Sequence, residues 1–162
     1  MNKIIVCVKD PQLLPERQTI SSVCRDLRAS VDFSVNPGEM IGVSAGVKTH
    51  IPHGRQSKVY ARSWLPSKCH LMLANSVAVF DADYRGEYIL QFFNYTKNIV
   101  HHEKYTRLCQ IEFMPYYVWS WEYGTKKIPE IEFIVDADLF DNFEKEFPSE
   151  RGVWWIGSTG HN

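Results

Sequence analysis

Within Phe80-Asp81-Ala82-Asp83-Tyr84-Arg85-Gly86-Glu87-Tyr88, two aspartates, a phenol and a guanidinium fall on neighbouring positions. An apolar run, Val77 to Phe80, leads in, and an alternating run, Tyr88 to Phe93, leads out. The spacing predicts a β-hairpin with these side chains at its tip. A carboxylate at a strand end takes a proton from water, and a nearby cation offsets charge on a polyanionic substrate, so the set suits general-base chemistry. Read alone, the same residues are a solvated turn. The rest of the chain has to decide.

Composition sets the bounds. The 162 residues suffice for one domain that buries roughly 70% of the surface its unfolded chain exposes. Hydrophobic residues make up 44% and charged residues 23%, as in a soluble globular protein. Lys plus Arg number 18 against 19 Asp plus Glu, so net charge predicts affinity for neither nucleic acid nor membrane. A phosphate site must be local. No apolar run approaches the ~20 residues that cross a bilayer. Ile4-Ile5-Val6-Cys7-Val8, flanked by lysines, is too short for a signal-peptide core and reads as a first strand, so the protein is expected to stay cytoplasmic and not be secreted. Cys7, Cys24, Cys69 and Cys109 show no C-x-x-C spacing and read as reduced thiols. Cys69-His70 and His101-His102 do not converge as zinc ligands, because neighbours on a strand point to opposite faces.

The elements that must position the chemistry are short and β-rich. Ile4 to Val8, Met40 to Val43, Val47 to Ile51, Lys58 to Arg62, Leu71 to Leu73, Tyr88 to Phe93, Leu108 to Phe113 and Glu130 to Phe133 read as strands with turn residues between them. Closely spaced strands predict an all-β barrel or sandwich. Leu139, Phe140, Phe143 and Phe147 recur at helical spacing and predict one short helix over 138–147, ended by Pro148. The chain divides into a barrel domain over 1–149 and a Gly- and Ser-containing tail over 150–162.

Five blocks carry a stronger signal together. They are Ser22-Val23-Cys24-Arg25-Asp26-Leu27-Arg28-Ala29, Ala61-Arg62-Ser63-Trp64-Leu65-Pro66-Ser67-Lys68, Asn75 through Asp81 and Tyr84 to Gly86, Thr106-Arg107-Leu108-Cys109-Gln110, and Arg151 through Gly160. In this order and spacing the chain resembles the trimeric dUTPase family over nearly its whole length. The resemblance implies a jelly-roll-like distorted β-barrel, a homotrimer with active sites shared between chains, and Mg²⁺-dependent hydrolysis of dUTP to dUMP and pyrophosphate, which limits uracil incorporation into DNA. It implies Asp81 as the base toward water attacking the α-phosphorus and Tyr84 as the wall against deoxyribose. Asn75 is implied in uracil recognition, and Arg62, Ser63 and Gln110 in phosphate binding. Arg151, Ser158 and Thr159 are implied in closing the tail over the γ-phosphate, and Asp26 in orienting water around the metal. Asp83 reads as structural, a partner for Arg85.

Departures fall where the family uses glycine. Cys24, Trp64, Ala78, Trp154 and Trp155 replace one each, and Ile156 replaces an aromatic that stacks on uracil. Trp64 stands where it would block the phosphates, Ala78 where a methyl would tighten or distort the base wall, and Trp154-Trp155 where they would either stop the tail lying down or let one indole take over base stacking. Two other readings stay open: a degenerate dUTPase-like module that binds nucleotide or protein without turnover, and a related dCTP deaminase.

Overall fold

The continuous apolar run at Ile4 to Val8 forms β1 (Lys3–Val8), and both faces of that strand are covered. The computed structural model describes residues 3–115 and 130–153. Ile4, Val6 and Val8 enter the main core, while Ile5 and Cys7 face a smaller cluster with Phe140 and Phe143. Alternate side chains leave a strand on opposite faces, so an unbroken apolar run requires cover on each side.

β1 pairs in parallel with β12 (Glu130–Val135) and antiparallel with β5 (Val47–His50). A second sheet has the order β2 (Arg25–Arg28), β11 (Arg107–Pro115), β6 (Arg55–Ala61), β8 (Val77–Phe80). A third runs β4 (Met40–Ser44), β9 (Ile89–Phe93), β7 (Met72–Leu73), and β3 (Phe33–Val35) pairs with β10 (Val100–His102). These short strands wrap one apolar core, the all-β barrel that the sequence predicts. Among the described residues no helix is long and apolar enough to cross a membrane.

The predicted hairpin does not form. β8 pairs with β6, whereas β9 pairs with β4 and β7, so residues 81–88 cross from one sheet to another. Aromatic packing drives the crossing. Phe80 stacks on Tyr88 with ring centroids 3.9 Å apart, and Tyr84 lies 5.5 Å from Phe80. The fully buried Tyr88 Oη bonds Thr49 Oγ1 at 2.8 Å and Ser57 Oγ at 2.6 Å, tying β5 and β6 to the crossing segment. Burial pushes the Tyr88 phenol up to about 12, so it stays protonated. Glu87 accepts from the Ser44 hydroxyl and, at 3.1 Å, from Gly46 N, which fixes the far end of the crossing.

The single predicted helix is two: α2 (Ala137–Asp141) and α3 (Phe143–Glu146), separated by Asn142. Asp136 caps α2 by accepting from Leu139 N at 2.9 Å. Asn142 closes α2 and opens α3, and the break brings Phe140 and Phe143 into one pocket against β1. Sequence reading also passed over α1 (Leu65–Cys69), which carries Pro66 in its first turn, where the missing N–H breaks no helical bond. All four cysteines are free thiols.

His50 ends β5, stacks on Phe147 at 4.9 Å, and has a buried Nδ1 without a hydrogen-bond partner. Desolvation, then the Arg85 charge, lowers its pKa from the ordinary 6.5. The fold therefore prefers the neutral ring, and the unfolded chain takes up the proton first as pH falls. This contribution is whole above about pH 6.5 and is lost as pH drops toward the lowered folded value. Thermal unfolding measured between about pH 7 and 5 should show the decline, and His50→Phe, which keeps a stacked ring without the titration, should flatten it.

Candidate active site

Asp26 on β2 lies opposite Gln110 on β11, which lies opposite Tyr60 on β6. Arg62 follows the end of β6, and its Nη1 sits 3.2 Å from Asp26 Oδ2. Arg107 Nη1 lies 3.4 Å from the same oxygen, and Gln110 Nε2 donates to Ala61 O at 3.0 Å. Asp26, Arg62, Ser63 and Gln110, with Gln18, Ser22, Val23 and Cys24, line a cleft of about 310 Å³. A nearly buried carboxylate is tolerated here because two guanidinium groups face it. Burial lowers the pKa of Arg62, the Arg107 and Arg28 charges act in the same direction, and Asp26 opposes them. Glu16 pairs with Arg28 at 3.4 Å, which leaves Asp26 alone between Arg62 and Arg107. The cleft is therefore locally cationic on a chain of net charge −1, which suits a multiply charged oxyanion.

Trp64 does not line this cleft. Its ring stacks on Arg62 instead, with Cζ 4.7 Å from the ring centroid, so it does not fill the cleft as expected.

A second cluster gathers beyond β8. The Arg151 guanidinium pairs with Asp81 Oδ2 and lies 5.6 Å over the Tyr84 ring. The Asp81 side chain is 56% exposed and that of Arg151 19%. Arg151 is held by its neighbours. Gly152, at φ +60°, forms a parallel bridge with Tyr84, and its carbonyl accepts from Arg85 N at 2.8 Å. Ser149 Oγ donates to Asp83 O at 2.5 Å and accepts from Gly152 N at 3.0 Å. Tyr84 is only 3% exposed, and its Oη donates to Glu87 O at 2.8 Å. Burial pushes its phenol up to about 12, with Arg151 opposing and Glu87 adding to the rise.

The expected Asp83–Arg85 pair is replaced. Arg85 Nε donates to Phe147 O at 2.7 Å, and its Nη1 donates to Ala82 O at 2.6 Å and Tyr84 O at 3.1 Å. Main-chain carbonyls need not be adjacent in sequence to share one fork, and Asp83 contributes only its more distant charge. Ala78 faces the core, leaving Val77 and Val79 on the open face of β8, so its methyl packs into the barrel.

Arg62, Ser63, Gln110 and Asp26 thus come together, as do Asp81, Tyr84 and Arg151. The two groups do not meet within one chain. Ser57 pairs with Phe80 and Tyr60 with Val77, so Asp81 leaves one end of this ladder and Arg62 the other. Ser57 to Arg62 spans roughly 16 Å at the usual strand rise of ~3.3 Å per residue. Asn75 occupies an exposed turn at the Arg62 end, with Val77 N donating to Asn75 O at 2.6 Å. Ser158, Thr159, Trp154, Trp155 and Ile156 lie outside the described residues. Sequence reading left out Arg107 and Gln18, although Arg107 sits inside the matched fourth block; Arg107 Nη1 donates to Gln18 Oε1 at 2.5 Å.

The dUTPase family model matches residues 10–132. The chain belongs to the dUTPase family. It is 35% identical over 150 residues to the deoxyuridine 5'-triphosphate nucleotidohydrolase of Desulfitobacterium hafniense, covering 91% of this chain and 87% of that one. The protein of the same name from Psychromonas ingrahamii is 32% identical over 170 residues and 99% of both chains. Among solved structures, the dUTPase of Streptococcus mutans superposes with a TM-score of 0.67 at 32% identity, covering 70% of this chain and 93% of that one. The barrel is thus the jelly-roll-like dUTPase fold.

The family implies a magnesium ion. Among the described residues no three His, Cys, Asp or Glu side chains cluster as a cage. Asp26 supplies a hard carboxylate oxygen on the cleft wall, already engaged by two guanidinium groups. The residues fit a Mg²⁺ that phosphate oxygens and water would hold, to which Asp26 would offer its oxygen through water.

Gly86 is where the dUTPase pattern and the packing meet. A Cβ there would overlap the Tyr84 phenol, so the Tyr84 ring folds back only over glycine. Gly86→Ala should destabilise the protein by about 1–3 kcal/mol in urea unfolding, the usual effect of overpacking, and alter the tyrosine near-ultraviolet signal.

Proposed function

We propose that this chain hydrolyses dUTP to dUMP and pyrophosphate, using Asp81 as general base. Supporting it above all is the presence, in a dUTPase-family chain, of both clusters: an acid beside a buried tyrosine, and a cleft that joins the Arg62 guanidinium to hydroxyl and amide donors. In the reaction, Asp81 takes a proton from water as the water oxygen bonds to the α-phosphorus. The bond from that phosphorus to the α,β-bridging oxygen breaks, and pyrophosphate leaves. Arg62, Ser63 and Gln110 bind the phosphate chain, Tyr84 walls the deoxyribose, and Asn75 meets the uracil edge. A bound Mg²⁺ offsets negative charge on the phosphates.

Arg151 links the tail to this chemistry. Paired with Asp81, it draws on the carboxylate electrons that a base must offer to water. A triphosphate competes for the same guanidinium. When Arg151 turns to the γ-phosphate together with Ser158 and Thr159, Asp81 is released to act on water. The tail over 150–162 is then the closing segment of a barrel spanning 1–149.

The wide separation of Asp81 and Arg62 favours a site assembled from neighbouring copies, hence a C₃ homotrimer. Cytoplasm, or whichever compartment makes DNA, is the place such an activity serves.

Purified protein should release pyrophosphate from dUTP with Mg²⁺, while dTTP and UTP react poorly and dCTP yields no ammonia. Silence toward dUTP in folded protein would replace this reading with a binding module. Asp81→Asn should lower turnover by ~10²–10⁴-fold with nucleotide affinity kept. Arg62→Ala should also be nearly inactive. Mixed trimers of these two variants, made by co-refolding, should regain activity well above either alone; no recovery, or a monomer mass in light scattering, would exclude the shared site.

A further inference from the structure

Arg62 has to offer its charge to a ligand while being mostly withdrawn from water, its side chain 16% exposed. The ion pair with Asp26 fixes where that charge sits but not how the fork is turned. Nη1 lies 3.2 Å from Asp26 Oδ2, yet this buried nitrogen has no hydrogen-bond partner. A guanidinium binds phosphate through a planar fork, so its orientation matters as much as its position. Among the described residues, the contact that can set the plane of the fork is the Trp64 ring, 4.7 Å from Arg62 Cζ.

That ring belongs to a rigid support. Trp64 packs against the main core and directly precedes α1. Its carbonyl accepts from Lys68 N at 2.9 Å, and Leu65 N donates to Arg62 O at 2.9 Å, closing the turn that joins the two residues. We propose that Trp64 is a positioning residue that orients the Arg62 guanidinium for a polyphosphate, at a position where the dUTPase pattern has glycine. The inference rests on the proposed reading of the Arg62 cleft as the phosphate site. Tryptophan offers the strongest aromatic face for a cation, and the gain rises where water is excluded. The substitution therefore supplies a wall that glycine lacks, and it leaves the cleft open.

The test compares Trp64→Phe, which keeps an aromatic face, with Trp64→Leu, which keeps bulk without one; Trp64→Met replaces the latter if Leu prevents folding. Two readouts are taken: KM and kcat for dUTP by pyrophosphate release, and the Kd of inorganic tripolyphosphate by calorimetry, which needs no turnover. The aliphatic variant should raise KM and the tripolyphosphate Kd by about three- to tenfold with kcat retained, while Trp64→Phe stays close to wild type. On an Arg62→Ala background the same substitution should add nothing further. Equal behaviour of Phe and Leu in folded protein, an additive loss without Arg62, or no tripolyphosphate binding by wild type would each overturn the proposal. Tripolyphosphate binding that depends on the ring, in a protein inert toward dUTP, would uphold it while removing the hydrolase reading.

Discussion

A hydroxyl buried at the centre of an apolar barrel must find partners there, and Tyr88 finds Thr49 and Ser57 on two strands of different sheets. That constraint fixes the path of the chain from Phe80 onward. With Phe80 stacked on Tyr88, the residues between them have little freedom, and each is used. Asp81 is left at the surface, Tyr84 folds back over Gly86, Arg85 turns inward to three carbonyls, and Glu87 clasps the β4–β5 turn. The Asp81 carboxylate owes its position to a buried phenol several residues further along the chain.

The charges follow a second rule, that guanidinium groups are placed where something holds them before a ligand arrives. Asp26 faces Arg62 and Arg107, Trp64 backs Arg62, and Asp81 holds Arg151. A side chain already ordered in the free protein gives up less freedom on binding an anion. The two holders differ in kind. Asp26 is nearly buried between two guanidinium groups, whereas Asp81 is half exposed and open to solvent.

Much of this was legible in the residues, for reasons that can be named. The unbroken apolar run of β1 and the alternation of β9 announce strands, because burial on two faces or one writes itself into the side-chain order. β3 and β10 were missed because three residues are too few to show a period, and among the described residues they are paired only with each other. The turn at 81–88 looked like a hairpin because local pattern shows that two strands flank a turn, not which distant strands claim them. That Asp26, Arg62, Ser63 and Gln110 would share one cleft followed from the resemblance of their blocks to one family. That Trp64 would stack on Arg62 rather than obstruct the cleft did not, since rotamers answer to neighbours remote in the chain.

β1 and β12 lie side by side in parallel, with Lys3 opposite Glu130. A ribosome makes the first of these strands long before the second. Until β12 emerges, one edge of β1 has exposed peptide groups and no permanent neighbour, and only β5 can cover the other. Pairing across so long a stretch of chain is slow, because loop entropy must be lost before any contact is gained. During synthesis the nascent protein therefore carries an open, strongly apolar strand edge, and the closing of the barrel becomes a late event that favours chaperone attendance and low local concentration.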